Sequence, residues 1–159
     1  RAVYLKSQRV RFLQNNIIAY QDKAWGDGDI FADYRCSPGV EVDRYREGHR
    51  YHILISLRET KSRGDIEDFQ IRRVIKDGFT QSTEEFQTEI DHQTRYIILQ
   101  VIFPVSRLPR KVMLIEQNTG RSTPLSADYT RPMPDGRVIY RWSAEHPRLF
   151  EAYILRWEW

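Results

Sequence analysis

Tyr51-His52-Ile53-Leu54-Ile55-Ser56-Leu57-Arg58 decides the fold. Tyr51, Ile53, Ile55 and Leu57 recur at every second residue, with His52, Ser56 and Arg58 among the residues between them. A period of two puts alternate side chains on opposite faces of a strand, so this segment reads as a strand with one buried and one mostly polar face. Moving outward, Lys61 to Asp65 reads as a turn. Asp68 to Lys76 reads as the next strand, with Phe69 and Ile71 on one face, and Asp77-Gly78 turns the chain again. Glu84 to Asp91 alternates as well: Phe86, Thr88 and Ile90 point one way, Glu85, Gln87, Glu89 and Asp91 the other. Arg95 to Phe103 is nearly continuously apolar, the pattern expected of a central strand covered on both faces, and Pro104 ends it.

The remaining segments extend this reading. Lys111 to Glu116, Arg137 to Trp142 and Tyr153 to Trp159 read as strands. Asn118-Thr119-Gly120 reads as a turn, and Pro132 to Gly136 as a loop. In the last strand Tyr153, Leu155, Trp157 and Trp159 share a face opposite Arg156 and Glu158. Ile30 to Cys36 is a strand stopped by Ser37-Pro38-Gly39. The first 24 residues leave two readings open. Val3, Val10, Leu13, Ile17 and Tyr20 fall at helical spacing, whereas Arg9 to Phe12 alternates and Asn15-Asn16 suggests a hairpin returning through Ile17 to Tyr20, which is the favoured reading. Many short strands punctuated by turn signals, with no long helical pattern, predict an all-β fold. The expected architecture is an antiparallel β-sandwich, immunoglobulin-like or related, with a β-barrel as the alternative. Residues 1–159 read as a single β-rich domain, with no repeat and no internal boundary. Because it begins at Arg1, the chain is expected to be part of a longer multidomain protein.

Composition narrows the function classes. Hydrophobic residues make up 40% of the chain and charged ones 30%, an ordinary globular balance rather than that of a disordered segment. No apolar run reaches the length of a membrane-spanning helix. The single cysteine, Cys36, makes no internal disulfide, which favours a reducing, cytoplasmic setting. The formal net charge is +3, and the basic residues are mostly arginine. Arginine forks suit phosphates and carboxylates, although the acids are interleaved with them along the chain.

No pattern nominates catalysis, and no cofactor or metal is expected. His49 and His52 are three apart and so lie on opposite faces of a strand. Asp22, Asp27, Asp29 and Asp33 gather near the Trp25 turn without full calcium-loop spacing. Arg63-Gly64-Asp65 reads as a turn. Glycine-rich phosphate loops and nucleophile elbows are absent. The binding candidates are basic and aromatic: Arg72, Arg73 and Lys76 on one strand; Arg107 and Arg110 around the Pro104 to Pro109 loop; Arg137, Arg141 and Tyr140 on a late strand. Arginine with rings on a β face is a recognition mode for nucleotides and single-stranded nucleic acid.

Arg95 to Phe103, Pro104-Val105-Ser106-Arg107-Leu108-Pro109, Lys111 to Glu116 and the closing Tyr153-Ile154-Leu155-Arg156-Trp157-Glu158-Trp159 resemble the accessory β-rich domains at the C-terminus of multidomain bacterial regulatory and effector proteins. The resemblance covers roughly Tyr51 to Trp159 and brings no activity with it. It implies a non-catalytic docking or sensing module of a bacterial regulatory or defence-type protein. Other domains of the same chain or operon partners are the expected partners, and the lack of a long apolar run predicts no membrane contact from this segment. The alternative is a β domain that binds an anionic ligand such as a nucleotide, cyclic dinucleotide or single-stranded nucleic acid.

Overall fold

The computed structural model describes all residues, Arg1–Trp159. Strands account for 64% of the chain and there is no α-helix, so the all-β antiparallel, sandwich-like expectation holds and no barrel closes. The sequence reads as one domain. The structure divides it into two compact units, Arg1–Thr80 and Gln81–Trp159, each with its own pair of sheets.

The first unit holds β1 (Ala2–Arg11), β2 (Ile17–Ala24), β3 (Asp29–Ser37), β4 (Val40–Glu47), β5 (Arg50–Lys61) and β6 (Ile66–Lys76). One sheet runs β1-β6-β3 and the other β2-β5-β4. The alternation of β5 does what its sequence dictates: Ile53 and Ile55 are fully buried, and they pack with Ala24, Ile30, Ile71 and Ile75 from both sheets. Phe12, Leu57 and Phe69 form a second cluster, with the Tyr20 ring stacked on Phe69 at 4.2 Å. The turn before β4 needs a glycine, since Gly39 has φ +92° and a Cβ there would stand 2.5 Å from the Ser56 carbonyl oxygen.

The second unit holds β7 (Thr83–Glu89), β8 (Tyr96–Phe103), β9 (Lys111–Glu116), β10 (Arg121–Pro124), a 3-10 turn at Ala127–Tyr129, β11 (Thr130–Pro132), β12 (Val138–Glu145) and β13 (Ala152–Glu158). Its sheets run β10-β9-β13-β7 and β11-β12-β8. Phe103 joins them, meeting Trp157, Trp159 and Tyr140 edge-to-face at 5.4, 5.5 and 5.6 Å. Glu151 is buried, and its carboxylate accepts the backbone N–H of Asn118 at 2.7 Å and of Ala152 at 3.0 Å. Two charge-assisted bonds satisfy a group that burial would otherwise penalise.

The two units share one wiring. In each, the first strand pairs with the last and the last with the third, while the second pairs with the penultimate. The fourth strand, β4 in the first unit, is split in the second. There β10 joins β9 and β11 joins β12.

Three sequence expectations are corrected. The opening segment forms two strands as favoured, yet they do not form a hairpin: β1 pairs with β6 and β2 with β5 in different sheets, so the Asn15-Asn16 turn arches between layers. Second, β4, β10 and β11 are strands in segments where the sequence reading places none. The most consequential correction concerns β8. Its apolar run suggested a central strand, but it is an edge strand paired only with β12.

Candidate interaction surface

β8 has two unlike faces. Leu99 and Phe103 are buried, with Ile97 and Val101 half-buried beside them, opposite Ala144, Trp142 and Tyr140 of β12. The other face carries Tyr96, Ile98, Gln100 and Ile102, of which Tyr96 is 50%, Ile98 43% and Ile102 41% exposed. The register sets Ile102 against Ile139, Gln100 against Arg141, Ile98 against Ser143 and Tyr96 against Glu145. Three large apolar side chains thus stand in water on one strand, at the sheet margin where the backbone ladder has no further partner.

Behind this stripe, on the same outer face, Arg141 of β12 and Arg131 of β11 converge on a shallow hollow completed by Asp128, Tyr129 and Ser143. Arg131 lies opposite Ile139, two residues from Arg141 on β12, so the guanidinium stems are diagonal neighbours. No salt bridge ties down either arginine. Arg141 is the one residue of the sequence-predicted binding set that lines the hollow. Arg131, Tyr129 and the β8 stripe were missed. Arg131 sits in a three-residue strand too short to show a period, and the apolar run of β8 reads as a strand covered on both faces.

The other predicted residues go elsewhere. Arg72 is bound to Asp33 at 2.5 Å, and Arg73 points the opposite way, buried with its guanidinium 4.0 Å over the Tyr4 ring. Lys76 ends β6, exposed. Arg107 lies 3.9 Å over the Trp159 ring. Arg110 is exposed, and its backbone N–H donates to the Glu158 carbonyl at 2.8 Å. Arg137 is paired with Asp135 at 2.7 Å, and Tyr140 packs inward on Phe103. Arg35, followed by Arg72, holds the Asp33 carboxyl below its usual range. A backbone N–H from Arg137, followed by its guanidinium, does the same for Asp135. The predicted set therefore forms no single surface.

The aspartates near Trp25 likewise separate. Asp33 serves Arg35 and Arg72, Asp29 accepts the Phe31 N–H, and Asp22 is buried in the first unit. There Lys6 Nζ meets Asp22 at 3.0 Å and donates to the Tyr20 hydroxyl at 3.2 Å. Tyr20 in turn donates to Gln8 at 2.6 Å. Burial alone would depress the Lys6 ammonium, but Asp22, Tyr20 and Tyr4 outweigh it and raise its pKa above the ordinary value. Burial also raises the Cys36 thiol.

No protein-family model, curated protein or solved structure matches the chain. No helix is long and apolar enough to cross a membrane.

Proposed function

We propose that the chain is a non-catalytic docking module, and that the outer face and free edge of the β11-β12-β8 sheet is its binding surface. The observation that carries this reading is the exposure of Tyr96, Ile98 and Ile102 along one edge strand. An exposed apolar stripe of that kind, interrupted by Gln100 and with an aromatic residue and arginines nearby, has the composition of an interface rather than of a solvated face. An edge strand also offers backbone groups to which a second polypeptide can add. The resemblance of the later segments to accessory domains supports placing such a module in a bacterial regulatory or defence-type protein. The test compares affinity capture by the wild-type chain and by Ile98→Asp, matched for thermal melting. Docking through this face predicts a bound polypeptide that the variant loses. Identical captures by both proteins would overturn the reading.

The Arg131–Arg141 hollow favours a second reading, an anionic ligand held by the two forks beside the Tyr129 ring. It predicts a salt-sensitive rise in melting temperature with a mono-, di- or cyclic nucleotide, lost in Arg141→Ala. A flat panel would remove its support.

A further inference from the structure

The structure has eight edge strands: β1 and β3, β2 and β4, β10 and β7, β11 and β8. Seven of them carry the features that keep sheet margins from pairing. β1 has Lys6, Arg9 and Arg11; β2 has Asp22 and Lys23; β3 has Asp29, Asp33 and Arg35; β4 has Glu41, Asp43, Arg44, Arg46 and Glu47. β7 carries Glu84, Glu85 and Glu89, and the short β10 and β11 each combine an arginine with a proline. The eighth, β8, is Tyr-Ile-Ile-Leu-Gln-Val-Ile-Phe, with neither a charge nor a proline.

The shared wiring sharpens the contrast, because β2 is the counterpart of β8 in the first unit. β2 pairs with β5 through an irregular register between Ile17 and Ala19 and carries an acid and a base. β8 runs in unbroken register along all eight residues against β12. Of two topologically equivalent margins, one is blunted and one is left regular in register, apolar and uncharged.

We infer that β8 is a self-pairing edge, and that its occupant is β8 of a second copy of this chain, added antiparallel to make one continuous six-stranded sheet. This rests on the docking reading above and names its partner. Self-complementarity singles out the second copy. Antiparallel neighbours directly opposite one another share a face, so two β8 strands can meet with their apolar faces in phase when centred on Leu99 or on Gln100. In the first register Tyr96 lies against the partner's Ile102. In the second, Ile98 lies against the partner's Ile102 and the two Gln100 amides face each other. Neither register opposes like charges, because β8 has none. An acidic partner strand would gain little here. Arg141 stands one strand behind the edge and Arg131 two, so each added strand lies roughly 10 Å or more from either guanidinium stem.

Sedimentation equilibrium of the full 159-residue chain tests the inference, carried up to roughly 1 mM because small interfaces associate weakly. The expected result is a reversible monomer–dimer equilibrium. Lys at both outer positions, Ile98→Lys with Ile102→Lys, should weaken it by at least about tenfold, since in either register the new charges lie opposite or diagonal to their copies. Ile98→Glu with Ile102→Glu should weaken it likewise, and an equimolar mixture of the two variants should restore a heterodimer. Both variants alter only exposed side chains, and circular dichroism checks that each is folded. A wild-type chain that stays monomeric throughout, a dimer indifferent to the Lys pair, or a mixture that does not associate would each overturn self-pairing. A monomer that still captures another polypeptide in an Ile98-dependent way would sink this inference alone and leave the docking reading standing.

Discussion

Lys6 and Asp22 show how a single pair can decide whether a β interior is stable. Asp22 is buried, and Lys6 is its ion-pair partner. Removing the ammonium while keeping the carboxylate leaves a charge with too little compensation, a loss that runs to about 3 kcal/mol or more for buried pairs. Lys6→Met should therefore lower the denaturant midpoint clearly, and Lys6→Met with Asp22→Leu should recover much of the loss. A single variant as stable as wild type would show that the pair does not matter. The pH dependence follows from the direction of each shift. Lys6 is raised, so its contribution is complete below its ordinary 10.5 and is lost only as pH climbs through the higher folded value. Asp33 beside Arg35, Asp68 beside Arg9 and Asp135 beside Arg137 are lowered, so their contributions are present above the ordinary carboxylate range and fade as pH falls through the folded values. Melting temperature should thus be level across neutral pH and decline below about pH 4. The Lys6–Asp22 partnership was not legible in the sequence, because the two residues lie on strands of different sheets and no local spacing records that meeting.

At the scale of the element, β8 separates what a pattern reveals from what it hides. Its existence, its bounds and its strand character were plain from the apolar run between Arg95 and Pro104. Its place in the sheet was not, since a strand covered on both faces and a strand with an apolar exposed face have the same composition. Adjacent residues on it should respond very differently to truncation. Leu99→Ala empties a buried site and should cost about 2–5 kcal/mol in a urea melt, whereas Ile98→Ala on the exposed face should cost well under half as much. Equal losses would mean that the face assignment is wrong. The alternation of β5, of most of β6 and of β13 from Leu155 onward was legible for the opposite reason: there one face is wet and the other dry, so sequence and burial carry the same period. The candidate surface was legible only at Arg141, because exposure depends on which strands neighbour one another. That information belongs to the topology.

For the whole molecule, the wiring matters more than any one contact. No sequence repeat announces it, since sandwich positions ask only for apolar residues in the right phase, and many unrelated sequences satisfy that demand. The chain therefore reads as one run of strands, while the structure groups it into two units around Thr80 and Gln81. The turn signals there, Asp77-Gly78 among them, look like those of any connection between strands. Pairing the first strand with the last has a geometric result. Ala2 lies opposite Ile75, and Thr83 lies opposite Glu158. Each unit thus takes in its chain and releases it at neighbouring points on the same rim, within about 6 Å across the ladder. A body with its entrance beside its exit can be spliced into a surface loop of a host protein without prying that loop apart. It can also be cut open at an exposed turn, such as between Thr119 and Gly120, and rejoined at its old ends while every ladder stays intact.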